Sequence, residues 1–237
     1  MADSARLSVQ LKVQGRCCVV VGGGAVALRR TVSLLEAGAE VIVIAPALHQ
    51  GFEQLSALKR LSVKQRDFEP ADIVSSAKAK SDSFRQTLLV VVATDNTEVN
   101  ERVGELCRAE GVLVNRADSA GAGDLTFPAL VNCGAVTLAV SNSVGSPALS
   151  QWVAERVDAS LEDVLGLTSE QCQQLAQVIS EVRQELKASH NALDENRRDV
   201  TSSIPDWRSA LDESILVLVR MGRCAEAKER LLACLSS

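Results

Sequence analysis

The first half of the chain alternates short, nearly unbroken apolar runs with amphipathic segments. RCCVVVGG (16–23) predicts a buried strand, and AVALRRTVSLLEAG (25–38) a helix with apolar positions Val26, Leu28, Val32, Leu34 and Leu35 that stops at Gly38. EVIVIAP (40–46) predicts a second strand ended by a proline, QGFEQLSALK (50–59) a helix, and LSVKQRDF (61–68) a third, more exposed strand. The polar stretch 75–86 fits a loop or a surface helix. TLLVVVATD (87–95) is the most strongly apolar strand, TEVNERVGELCRAEG (97–111) a helix closing on Gly111, and VLVNRAD (112–118) a fifth strand. Strands that are apolar throughout, separated by helices, need cover on both faces, so the fold class is α/β with a doubly wound parallel sheet.

The pattern then changes. TFPALVN (126–132), a turn at Cys133-Gly134 and AVTLAVSN (135–142) predict a hairpin with no crossover helix. From Ser146 onward the periodicity is helical in three stretches, with Ser146 and Thr168 placed as N-caps and Pro147 at a first helical position. Three segments follow: 1–123, a nucleotide-binding domain; 124–160, a hairpin plus helix; and 161–237, a helical region.

Composition narrows the function classes. The chain is 46% hydrophobic and 23% charged, the proportions of a folded protein, and its net charge of −5 comes without any Lys/Arg block of the kind that tracks phosphates. No nucleic-acid partner is expected. No apolar run reaches the ~20 residues of a membrane span, and the opening MADSARLSVQLKV lacks the apolar core of a signal peptide. Seven cysteines, an odd number with no CxxC among them, predict reduced core residues in the cytoplasm and no zinc site.

Gly22-x-Gly24-x-x-Ala27 matches the dinucleotide turn, at the junction of the first strand and first helix. The first glycine permits the sharp turn, the second leaves room for a pyrophosphate, and the small third residue lets helix and strand approach. Free N–H groups at the helix start then face the phosphates. The second strand ends Ile44-Ala45-Pro46-Ala47, with neither the acid that usually holds the ribose hydroxyls nor an arginine for a 2′-phosphate, so chemistry alone leaves NAD and NADP undecided. At the end of the fourth strand Thr94 is placed to hydrogen-bond a cofactor, and Asp95, or else Asn96, to cap the next helix. The fifth strand delivers Asp118 to the same sheet edge, where a carboxylate can take a proton as a hydride leaves. SNSVGSP (141–147), which contains Ser143, is a second small-residue loop ahead of a helix.

The ordered set VVVGGGAVALRR, LLEAGAEVIVIAP, VVATDNTEVNERV, VNRADSAGAGDLTFPALV and LAVSNSVGSPAL resembles the precorrin-2 dehydrogenase family, which includes the amino-terminal module of siroheme synthases. The likeness covers about residues 7–160. It implies a Rossmann domain, a strand-containing dimerisation segment and a helical C-terminal part. It also implies oxidation of precorrin-2 to sirohydrochlorin with NAD, within siroheme biosynthesis, by a homodimer; some members also insert ferrous iron. The family's active-site aspartate falls on Asp118, ten residues ahead of Pro128, and its asparagine on Asn115. Its cofactor contacts fall on Ala25, Val26, Pro46 and Ala47, and the missing acid is then normal, in favour of NAD. A serine that some synthases phosphorylate is Asn142 here, and the methyltransferase module of trifunctional synthases has no expected counterpart.

An octacarboxylate substrate calls for arginines, and Arg116, Arg156 and Arg183 are the candidates. His49 and His190 lie in no ligand motif, so no metal ligands are assigned and ferrochelatase activity stays open. The alternative is a module that senses NAD(H) or docks a protein through its C-terminal helices, without turnover and with a dispensable Asp118.

Overall fold

The computed structural model describes residues 6–55, 57–73, 86–194 and 206–236; most of the polar stretch 75–86 lies outside them. The chain divides into two compact units, one of Met1–Phe127 with Ser143–Gly145, the other of Pro128–Asn142 with Ser146–Ser237.

In the first unit five parallel strands, β1 (Cys17–Val21), β2 (Glu40–Ile44), β3 (Leu61–Lys64), β4 (Thr87–Val92) and β5 (Leu113–Arg116), form one sheet in the order β3-β2-β1-β4-β5. The order reverses between β1 and β4, the switch point where open α/β sheets bind ligands. Val19, Val20, Val90, Val91 and Val92 are fully buried. Two apolar clusters cover the faces. Helix α1 (Ala25–Glu36) supplies Ala27, Leu34 and Leu35 to one, and α2 (Thr97–Glu110) supplies Val103 and Cys107 to the other. The parallel Rossmann-type sheet is therefore present as the apolar runs predict.

Local details differ. The buried face of α1 is Ala27, Thr31, Leu34 and Leu35, whereas Val26 is 40% exposed, because the sheet lies against the small third position of the glycine motif. The expected helix at 50–59 is a 3-10 turn, Gln50–Leu55, which holds Gly51 against Leu28 so closely that a Cβ there would meet its Cδ2 at 2.4 Å. The helix after β4 is capped by Asn96, not Asp95: the Asn96 side chain accepts from the Val99 N–H at 3.2 Å. On β3, Lys64 and the nearby Arg66 both reach Asp72, whose side chain is 2% exposed.

In the second unit β6 (Ala129–Cys133) and β7 (Val136–Val140) pair antiparallel as the expected hairpin. They share one core with α3 (Pro147–Leu165) and α4 (Ser169–Asp194). Ser146 caps α3 as expected, its side chain accepting from Leu149 N–H. The last helical stretch is broken into α5 (Trp207–Ala210), α6 (Glu213–Arg220) and α7 (Cys224–Leu235). The breaks have local causes: Asp212 accepts from the Ser214 and Ile215 N–H groups and starts a new helix, and Gly222 adopts φ +71. Arg156 stacks on Trp152 and Arg183 on Trp207 in this unit. No helix among the described residues is long and apolar enough to cross a membrane.

Candidate active site

Gly22 leaves β1 at φ +123, a conformation that favours glycine, and its N–H donates to Ile44 O at 2.9 Å. A Cβ on Gly22 would meet Ala93 O at 2.3 Å, and one on Gly23 would meet Ala47 O at 1.9 Å. At Gly24 a Cβ would meet nothing within 4 Å. Two glycines are thus required by the protein's own backbone, while the third faces open space at the start of α1. Gly24 is the N-cap of α1 and no side chain caps it, so the first amides keep their partial positive charge for an anion. These residues fit a pyrophosphate. Ala25, Val26, Pro46 and Ala47 are all exposed around the turn.

Thr94 is committed elsewhere. Its hydroxyl donates to Asn100 Oδ1 at 2.5 Å and receives the Asn96 N–H at 3.2 Å, while Asn100 Nδ2 donates to Thr94 O at 3.1 Å. A cofactor bond from this hydroxyl would compete with that network.

At the end of β5, Arg116 and Asp118 form a two-pronged ion pair: Nε to Oδ1 at 2.8 Å and a terminal nitrogen to Oδ2 at 2.7 Å. Arg116 is 7% exposed and lies on the α2 face, beside Gly104. The bond from Arg116 holds the Asp118 carboxyl at about 2 against a smaller opposing effect of burial, and Asn100 lowers it further. Asp118 is thus firmly ionised and a weak proton acceptor. Arg116 in turn is pushed up by the same bond and has its charge compensated, so it differs from the free carboxylate anchor expected of it. An open groove of about 550 Å³ beside the pair is lined by Glu101, Glu105 and Arg108 of α2 among others.

Asn115 lies on the opposite face of β5, since side chains alternate along a strand. It is 4% exposed, donates from Nδ2 to Leu125 O at 2.9 Å, and leaves its buried Oδ1 without a partner. Asn115 and Asp118, three residues apart, are therefore not side by side. The loop after Asp118 is fixed by Asp124, which accepts from Val114 N–H at 2.9 Å, and by Gly123 packed against the backbone of Val114 and Arg116. Ser143 belongs to the first unit by its contacts and is exposed.

His49 serves the backbone: its N–H donates to Gly23 O at 2.7 Å and Nδ1 receives the Gly51 N–H. His190 lies in α4.

One charged side chain was not anticipated. Arg30, on α1, stacks over the Phe127 ring at 4.2 Å, with a buried Nε that has no hydrogen-bond partner. In sequence it resembles a solvated helix cation, and only the partner 97 positions away gives it away.

A parallel sheet with an uncapped, glycine-lined helix start at its switch point defines a nucleotide-binding domain, and comparison with known proteins agrees. The chain belongs to the NAD(P)-binding family whose model matches residues 9–129. It is 31% identical over 229 residues to the siroheme synthase of Nitrosococcus oceani, covering 97% of this chain and 44% of that one. With the siroheme synthase of Methylococcus capsulatus it shares 29% identity over 226 residues, 95% of this chain and 42% of that one. The chain thus spans less than half the length of these relatives. Among solved structures it is similar to SirC, a precorrin-2 dehydrogenase, at 25% identity and a TM-score of 0.63, over 95% of this chain and all of that one.

Proposed function

We propose that this chain oxidises precorrin-2 to sirohydrochlorin with NAD. The observation that carries the reading is the open side of Gly24 at an uncapped helix start, inside a fold that matches a precorrin-2 dehydrogenase along almost its whole length. When bound, the nicotinamide supplies a two-electron acceptor for the hydride. The turn at Gly22 and Gly24 and the first amides of α1, at Ala25 and Val26, hold the pyrophosphate, and the backbone at Pro46 and Ala47 flanks the ribose. Asp118 is the catalytic carboxylate. Hydride loss leaves the macrocycle positively charged until a proton departs; Asp118, kept ionised by Arg116, turns the negative end of that ion pair toward the charge while water takes the proton. Asn115 and Ser143 are assigned to the substrate. The exposed Leu130, Val136, Leu149 and Trp152 of the second unit fit a homodimer contact in a cytoplasmic enzyme.

Anaerobic absorbance with precorrin-2 and NAD, in parallel with Asp118→Ala, tests this. Sirohydrochlorin should accumulate with the wild-type protein and at least roughly 100-fold more slowly with the variant. Binding of NADH without product refutes the dehydrogenase and favours the sensing module. Ferrous iron added to the same cuvette tests for chelation.

A further inference from the structure

An arginine on a helix surface normally points its guanidinium into water or pairs it with a carboxylate. Arg30 does neither. It is partly buried, its Nε is shut off from solvent, and among the described residues it makes no ion pair and no hydrogen bond. Among the described residues its one specific contact is the face of Phe127. Burial, with repulsion from Arg29 second, pushes the guanidinium down to about 10, the direction expected of a cation that has no anion beside it.

The geometry says where an anion would sit. A guanidinium stacked on a ring has its N–H groups in its own plane, directed sideways rather than at the ring. Arg30 lies six residues after Gly24, about 9 Å along the helix, and helical side chains lean toward the N-terminus. The side chain therefore leans toward the N-terminal end of α1. On the same face of the sheet, Leu125 and Phe127 pack on the apolar cluster that contains α1, and Asn115 binds Leu125 O while its own Oδ1 is left over. An unpaired cation and an unpaired acceptor thus occur on one face, beside the segment that carries Leu125 and Phe127.

We infer that Arg30 is the oxyanion-binding side chain of this site, with Phe127 as the platform that holds its N–H edge available. This rests on the proposed reaction and names the group that binds its ligand. The oxyanion is either a carboxylate of the tetrapyrrole or a phosphate of the dinucleotide. The two share one chemistry, a two-oxygen acceptor matched to the guanidinium fork.

Arg30→Gln and Arg30→Lys in the full chain separate the sources. NADH affinity is read by fluorescence titration, sirohydrochlorin affinity by absorbance titration, precorrin-2 turnover by steady-state rates, and folding by thermal melting. Loss of a charge-assisted bond should weaken the ligand concerned by roughly 10- to 100-fold, with kcat and melting temperature little changed and Lys restoring part of the affinity. A raised precorrin-2 KM and sirohydrochlorin Kd with unchanged NADH binding assigns a carboxylate; the reverse assigns a phosphate. Unchanged affinity for both ligands in Arg30→Gln overturns the inference, as does a loss that only parallels unfolding. A wild-type protein that binds either ligand but never turns over precorrin-2 refutes the reaction alone, and the binding titrations still decide on Arg30.

Discussion

Replacing Gly23 and Gly24 separately by alanine should split folding from cofactor binding. At Gly23 the new methyl would lie 1.9 Å from Ala47 O, a backbone atom that cannot move without shifting the end of β2. Relief of such overpacking costs about 3 kcal/mol, equivalent to a fall of roughly 6–12 °C in the melting of this unit. At Gly24 the methyl meets nothing, and the backbone at φ −78 and ψ −174 suits alanine. A small gain from a stiffer unfolded chain opposes the poorer capping of alanine, and stability should stay within about 0.5 kcal/mol. The same methyl, however, stands where the pyrophosphate must approach, and NADH affinity should fall at least roughly 10-fold, or about 1.4 kcal/mol. Thermal melts and NADH fluorescence titrations of both variants make the comparison. Normal NADH binding by Gly24→Ala would show that the dinucleotide does not cross this turn, and a wild-type melting temperature for Gly23→Ala would refute the packing.

The ion pair at the end of β5 makes a pH prediction. Arg116→Gln removes the bond that holds Asp118 near 2, so its carboxyl should rise toward 3.8; kcat, flat in acid for the wild-type protein, should gain an acid limb near about pH 4. Identical profiles would mean that the charge on Asp118 does not matter to the rate. In the 3-10 turn Pro70–Asp72, the buried Asp72 is raised by burial but lowered further by Arg66, Lys64 and the Glu69 N–H, to about 2. A folded-state value below the ordinary 3.8 makes its contribution, about 2 kcal/mol, fully present above about pH 4 and lost as pH falls through about 2. Asp72→Asn should remove it at neutral pH, and urea midpoints at pH 7 that match the wild-type protein would rule it out.

Much of the first unit was legible because its strands are buried on both faces, and a run such as TLLVVV admits few other structures. The glycine turn was legible for a similar reason: its spacing reports a backbone geometry rather than a tertiary contact. What escaped depended on partners distant in sequence or on which of two neighbours points inward. Asp95 and Asn96 are equally good caps by residue type, and only the path of the chain after Thr94 makes Asn96 the one that reaches Val99. In sequence Arg116 reads as a free anchor because its charge is visible there while its closure onto Asp118 is not. Arg30 is hidden for the converse reason, since nothing near it in sequence announces Phe127. The family resemblance puts Asn115 and Asp118 in one site, but strand alternation sends the Asn115 side chain to the α1 face while Arg116 draws Asp118 to the other.

The fastening of the glycine turn to the segment after β2 limits how this protein's choice of cofactor could be altered. Gly22 donates to Ile44 O, His49 donates to Gly23 O, and Ala47 O fills the place of a Gly23 side chain. The stretch that would sense a 2′-phosphate is therefore bolted down by its main chain and has no slack with which to make room. Redesign toward NADP would have to work through new side chains at exposed Pro46 and Ala47, an arginine at Ala47 for instance, on a backbone that stays where it is.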